Sequence, residues 1–562
     1  MKKIFALLLM LFILVPCIIA CSCGDPTTDG STPKSESTTD SSTGTSKPST
    51  DSSVPSTDSS KPSTEGSTND STPSSTPSST PGSTAGSTAG STATSTPSST
   101  VPSTPSSGET PDVPPEPTKN WNGATLNVLA TIWIADTDPS YPWSQVELTV
   151  GANDWTSDAN FGNTINVAVL QRAKDIKENY GVTINWIDSR GPQISNLLSA
   201  SMTGGTKYDI AMPRMMEVQT LVKNQIVFEL GNSDYINLSN SYYNQASLEA
   251  YTVQGHTLFA AGDFSFLDEQ TSFLIYYNMA MSEGIANFPN LYEKVRKGEW
   301  TIDEMTNVAK LVKENLGDAV WDDNDKYGFG TTNLTHFFHY SGIKEAAVDP
   351  KTQKYVITLN DSRVDALIEK LLAIQGADWA RTFSGYAPMD AAFKEGRLLF
   401  YDEVVQKVDA FENQTDDFRV GLLPAPKLST SQDNYYTACS YQSVAMCIPK
   451  CTTDREMSEY FFEVLSYTGQ KYVMKAYKEN IVTKLDPATA ADSLDMINNY
   501  IFANLTYDVG SMDGWSGLLS GVLHESISSG KNNFTQAYGT AVEDAKLTIA
   551  AWNTNWGDYW ED

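Results

Sequence analysis

Residues 124–131 read ATLNVLAT, residues 182–188 VTINWID and residues 208–212 YDIAM, and these three short apolar runs decide the fold. Each predicts a buried strand. Between the first two, Thr164 to Tyr180 places Ile165, Val169, Ala173, Ile176 and Tyr180 on one helical stripe that stops at Gly181. Ser195 to Met202 predicts a short helix before the third strand. Met215 to Asn224 predicts another after it, ahead of Phe228-Glu229-Leu230. The resulting βαβαβ order means a parallel sheet with right-handed crossovers. Ligands of such sheets bind beyond the carboxyl ends of the strands, so the loops after Thr131 and after Met212 are the ones to inspect.

A second lobe is expected to begin near Phe273, where FLIYYN (273–278) predicts a strand. Thr301-Ile302-Asp303-Glu304 is a capping box, in which Thr301 accepts from the amide of Glu304. The helix it opens carries Met305, Val308, Leu311 and Val312 on one face. A further box at Thr453 and Glu456 opens a helix containing Phe461, Phe462, Val464 and Leu465.

The amino terminus predicts location. Lys2 and Lys3 precede an apolar run from Ile4 to Ile19, and Ile18-Ile19-Ala20-Cys21 reads as a secretory signal peptide ending in a lipobox. Cys21 would then carry diacylglycerol, and two acyl chains at roughly 0.8 kcal/mol per methylene hold a chain on a membrane where one does not. An uncleaved membrane helix is the alternative, but the run is short for a span and no second one follows. From 21 to about 120 the chain is Ser, Thr, Pro and Gly with short repeats, a composition that buries too little apolar area to order itself. Its expected reach, on the order of 50–60 Å, suits a domain lifted through the wall of a Gram-positive cell.

About 440 residues remain, more than one usual domain, so two lobes are expected. The formal net charge of −30 argues against nucleic acid and anionic lipid as partners. Of the six cysteines, Cys23, Cys439, Cys447 and Cys451 would stay as thiols or form one bridge, Cys439–Cys447 or Cys447–Cys451. Catalytic signatures are missing: there is no nucleophile elbow, phosphate loop, zinc-binding His pair or cysteine set. His336 and His339, at i,i+3, read as core or surface histidines, and residues 321–328 (WDDNDKYG) as a polar turn rather than a calcium loop. Acid pairs such as Asp402 and Glu403 could serve a glycosidase, but a chain this acidic offers many by chance. Of the twelve tryptophans, Trp133, Trp143, Trp155 and Trp515 fall where loops are expected. Sugar rings stack on indole while their hydroxyls take Asp, Glu, Asn and Arg partners, so a cleft with these ingredients binds sugars.

The order of segments resembles the family 1 extracellular solute-binding proteins, the receptors of ATP-driven carbohydrate importers. The resemblance rests on KDIKENYGV (174–182), YDI (208–210) followed by QIVFEL (225–230), FLIYYN (273–278), EWTIDEMTNV (299–308), FKEGRLLFY (393–401), VGLLPAP (420–426) and SYQSVAMCIPK (440–450), in family order across residues 121–562. It implies an α/β, two-lobed, periplasmic-binding-protein-like (type II) fold with a hinge. One lobe would span about 121–270 and 438–483, the other about 271–437 and 484–562. Implied with it are a carbohydrate ligand, ABC permease partners, a monomeric receptor on the outer face of the membrane, no cofactor and no catalysis. A binding protein or sensor for another solute such as a peptide, or an extracellular carbohydrate-active enzyme, are the alternatives.

Ligand contacts carry over by position. Trp133 and Asp136 follow the first strand, Arg214 and Glu217 the third. Asp268 and Glu269 precede the crossover, and Tyr401 and Asp402 follow the FKEGRLLF strand. Trp515, in Met512-Asp513-Gly514-Trp515, matches the stacking tryptophan of maltose-type members. Pro213-Arg214-Met215-Met216 departs from their pattern, which has an aromatic and an aspartate after the third strand.

Overall fold

The computed structural model describes residues 113–130, 164–189, 193–317, 320–411, 414–512 and 517–559. Strand β1 (Thr125–Ala130), helix α1 (Thr164–Tyr180), β2 (Thr183–Asp188), α2 (Ile194–Met202), β3 (Ile210–Met212) and α3 (Val218–Asn224) follow in the expected order, with a 3-10 turn over Met215–Glu217 leading into α3. The strands form a parallel sheet ordered β2-β1-β3. β1 is central, so Leu126, Val128, Leu129 and Ala130 are all fully buried, and its apolar run is nearly continuous for that reason. α1 ends at Gly181, whose φ is +69°, and a Cβ there would lie 2.3 Å from Asn122 Oδ1. Only glycine meets both demands.

The first sheet is completed from far along the chain. Antiparallel bridges pair Ala211 with Cys447, Arg214 with Val444 and Ala260 with Met446, so a segment near 444–447 lies between β3 and residue 260. The chain thus leaves this lobe, builds the other and returns. The exit is a single turn, α4 (Leu267–Gln270), joined to β4 (Phe273–Asn278).

In the second lobe α5 (Ile302–Ala309), β5 (Lys326–Thr331), β6 (Ala380–Thr382), α6 (Tyr386–Lys394), β7 (Leu398–Val404) and β8 (Val420–Leu423) build on β4. The sheet order is β6-β5-β7-β4-β8; β5 runs parallel to β6 and β7, while β4 is antiparallel to β7 and β8. Thr301 caps α5 as expected, accepting from Glu304 N at 3.2 Å. The helix ends at Ala309, however, and Leu311 is 55% exposed rather than on the buried stripe. Gly328 in β5 explains the close fit of that end, because a Cβ there would lie 1.9 Å from Ala309 O.

Two short strands, β9 (Thr437–Ala438) and β10 (Leu505–Thr506), pair in parallel where the chain crosses again between the lobes. Between them, α7 (Arg455–Thr468) is capped by Asp454, which accepts from Met457 N at 3.1 Å. The cap is one residue beyond the expected Thr453, and Glu456 turns outward to pair with Lys119 and accept from Tyr235 Oη at 2.7 Å. The last helix, α8 (Phe534–Gly557), begins on the core of the second lobe and ends on the first, where Trp556 is fully buried and donates to Gln219 Oε1 at 3.2 Å. The structure is therefore two-lobed α/β, periplasmic-binding-protein-like, as the resemblance implied. Cys439, Cys447 and Cys451 are buried free thiols, so neither expected bridge forms. No helix among the described residues is long and apolar enough to cross a membrane.

Candidate functional site

The carboxyl ends of β5, β6 and β7 open onto one region of the second lobe, and the turn after β9 faces it from the first. Tyr386 opens α6 directly after β6 and is 45% exposed. Burial of its phenol end, together with nearby Glu403, pushes its pKa up to about 12, and the same hydroxyl lies within hydrogen-bonding reach of Thr332 and within electrostatic range of Tyr441. Since Tyr441 belongs to the turn that bridges β3, this pair marks where the two lobes look at each other. Lys407 Nζ sits 5.9 Å from the Tyr386 ring centroid and donates to Asp390 Oδ2 at 2.6 Å. Across from them, Arg214 Nη1 donates to Gln442 Oε1 at 3.5 Å.

Glu403 is the least satisfied group in this wall. It is 2% exposed; its Oε1 accepts from Val404 N at 3.0 Å, and its Oε2 has no hydrogen bond among the described residues. Burial pushes its pKa up to about 8, against the backbone hydrogen bond and Lys407, which hold it down. At neutral pH the carboxyl keeps its proton and can donate through that oxygen. Gln406, three residues on, likewise has a buried Oε1 without a partner among the described residues.

The residues singled out in sequence take several roles. Trp133, Asp136, Trp515 and Cys21 lie outside the described residues. Glu217 is 2% exposed and closes the ends of two helices, its Oε1 accepting from Ser195 N at 3.0 Å and Ser195 Oγ at 3.1 Å, its Oε2 from Arg214 N at 3.2 Å. Asp402 accepts from Thr331 Oγ1 at 2.8 Å and Tyr340 Oη at 2.6 Å, and meets His336 Nδ1 at 3.3 Å. His336 in turn packs on Phe273, ring centroids 3.9 Å apart. Tyr401 and Asp402 both lie within β7 rather than after it. The Tyr401 ring stacks on Phe393 at 4.7 Å, and its hydroxyl donates to Asp390 at 2.5 Å. Asp268 and Glu269 are buried on α4, where Asp268 accepts from Tyr507 Oη at 2.7 Å. The structure thus brings Arg214 to the facing walls and places Asp402 directly beneath one of them, beside Glu403.

Reading the sequence missed Tyr386, Thr332, Tyr441, Gln442 and Lys407, and gave Glu403 only as half of a chance acid pair. Their shared signal is position, at or just past the carboxyl end of a parallel strand or in the turn opposite. His339 faces Asp508, at 3.5 Å. Asp325 closes the 321–328 turn by accepting from Asp322 N and Leu316 N, both at 2.8 Å. No group of three or more metal-ligating side chains occurs among the described residues.

No family model and no curated protein matches the chain. Among solved structures it is similar to the ABC substrate-binding protein Lmo0181 from Listeria monocytogenes in complex with cycloalternan, at 13% identity and a TM-score of 0.47 over 76% of this chain and 99% of that one. It is also similar to an extracellular solute-binding protein from Staphylococcus aureus in complex with maltose, at 13% identity and a TM-score of 0.49 over 76% and 98%. A third is MalX from Streptococcus pneumoniae in complex with maltopentaose, at 15% identity and a TM-score of 0.45 over 75% and 100%.

Proposed function

We propose that this chain is a lipid-anchored extracellular solute-binding protein of the family 1 type, which captures an oligosaccharide between its lobes and delivers it to an ABC importer permease. The observation that carries the reading is the half-exposed ring of Tyr386, set where the strand ends of one lobe face Tyr441, Arg214 and Gln442 of the other. An open aromatic face beside a proton-bearing Glu403 and amide groups suits a polyol, whose C–H face stacks while its hydroxyls both donate and accept. Lys407 is paired with Asp390 and Arg214 with Glu217, which leaves these cations neutralised and favours an uncharged solute. Trp133, Asp136 and Trp515 belong to the same proposal as further contacts. The ordered run of family-like segments from 121 to 562 supports it independently.

Capture needs a ligand that touches both walls, because only differential affinity for the closed state shifts the balance between open and closed. The same proposal makes residues 1–20 a signal peptide and Cys21 the lipidated terminus. The linker to about 120 is then the tether, on a cell of Gram-positive type. No step of chemistry on the solute is part of the reading.

Thermal unfolding of the purified 121–562 domain against mono- and oligosaccharides, peptides and amino acids tests it, since a ligand of the folded state raises the midpoint. A shift with one glycan series and no product formed is the expected result. A shift with peptides alone, or turnover of a glycan, would overturn the sugar-receptor assignment.

A further inference from the structure

The segments that cross between the lobes converge on one buried pair of carboxyls. α4 carries Asp268, 2% exposed, and Glu269, 6% exposed, immediately before the first crossing. Tyr507, just past β10, donates to Asp268 Oδ2 at 2.7 Å and is itself fully buried among them. Cys439, just past β9, lies close enough that both carboxyls push its thiol pKa up, after burial. The Thr271 and Ser443 hydroxyls meet at 2.8 Å and tie the first crossing to the second. Each crossing therefore reaches the pair through a named side chain.

Within the pair, Glu269 Oε2 finds no donor among the described residues, and the nearest charge acting on this carboxyl is that of Asp268. Two adjacent buried carboxyls repel when both are ionised, and an oxygen with no donor does not stabilise the charge, so the pair favours holding one proton. The ionisable groups acting on Glu269 are Asp268 and Asp263, both acids; Lys478 acts on Asp263, and Tyr507 and Cys439 complete the surroundings. Burial, and then Asp268, raise the Glu269 pKa well above the usual carboxylate range; burial also raises Asp268. Asp263 is pushed up to about 6 by burial.

We propose that Asp268 and Glu269 share one proton that locks the junction of the crossing segments, so that the hinge loosens when the proton leaves. In that step the Glu269 O–H bond breaks, the proton passes to water or buffer, and the electron pair stays on a carboxylate now beside Asp268. Two like charges then lie side by side, answered among the described residues by the Tyr507 hydroxyl and the backbone amides of Asp268 and Glu269. The folded chain holds a proton that the unfolded chain releases above about pH 4.3. The pair's contribution is therefore present in full below that value and declines as pH rises toward its folded pKa.

The experiment compares the ligand-free wild-type chain with E269Q and D268N by thermal unfolding from pH 5 to pH 9, together with amide hydrogen exchange at residues 437–439 and 505–508. Glutamine keeps the shape and the donor at 269 without a proton to lose. The expected result is a wild-type midpoint that falls with pH relative to E269Q, the two profiles differing by one linked proton. Wild-type exchange at the crossing amides, corrected for its intrinsic pH dependence, should speed up from pH 6 to pH 9. Parallel midpoint profiles for wild type and both variants would overturn the proposal. So would unchanged corrected exchange in the wild type, which needs no variant to fold.

Discussion

Replacing Tyr386 by alanine removes the open aromatic face of the cleft, and the structure sets the size of the loss. A tyrosine side chain has about 200 Å² of surface; at 45% exposure the ring offers ~90 Å² to a ligand. A sugar covering half of that withdraws ~45 Å² of ring and a like area of its own C–H face, worth about 2 kcal/mol at ~25 cal/mol per Å². That corresponds to a Kd raised about 30-fold. The assay is titration calorimetry with the oligosaccharide that gives the largest thermal shift, run on wild type, Y386A and Y386F. Phenylalanine keeps the face and loses only the hydroxyl beside Thr332, so Y386F should weaken binding by less than about fivefold, near the 1 kcal/mol of a net hydrogen bond. Because the ring is half in solvent, the unfolding midpoint of Y386A should stay close to wild type. A Y386A Kd within twofold of wild type, with the fold intact, would refute the placement of the site.

Other perturbations probe the supports and the tether. D402N keeps one acceptor oxygen where Thr331, Tyr340 and His336 converge, and should cost about 3 kcal/mol in urea unfolding, as expected when buried partners lose a charged acceptor; a cost under 1 kcal/mol would mean the network is dispensable. Glu403, with a folded pKa of about 8 raised by burial, favours the folded state most below its unfolded value and loses that contribution as pH climbs. E403Q should therefore gain on wild type by about 2–4 kcal/mol between pH 5 and pH 8, and an unchanged gap would show that Glu403 ionises normally. Cys21→Ala should release the chain from the membrane fraction into the medium, and retention there would argue for an uncleaved anchor.

Regular packing was legible because it repeats. The stripe of Ile165, Val169 and Ile176 predicts α1 with both its bounds, since a helix packed on a core must show it an apolar residue every turn. Helix ends were legible only in part. Thr453 and Asp454 are both good caps, and the structure uses Asp454, the residue with extended backbone at φ −140°, ψ 92°. Leu311 fits the α5 period, yet the helix stops two residues earlier because Gly328 brings β5 up against Ala309. No local pattern encodes that approach.

Site residues were harder for a related reason. A carboxylate at or past a strand end has the same sequence signature whether it meets a ligand, as proposed for Glu403, or a helix amide, as Glu217 meets Ser195. What separates them is the count of donors among the described residues: Glu217 accepts three hydrogen bonds through two oxygens, whereas Glu403 accepts one and leaves the other oxygen open. Those donors are Ser195 and Arg214 in one case and Val404 in the other. Tyr386 was hidden in the same way. A tyrosine in sequence does not say which way its ring faces: Tyr401, within β7, is stacked on Phe393 in the core, while Tyr386, the first residue of α6, is held at the mouth of the second sheet. An exposed aromatic ring costs solvation that burial would recover, so its survival in a wall facing the other lobe is the physical argument for something that covers it.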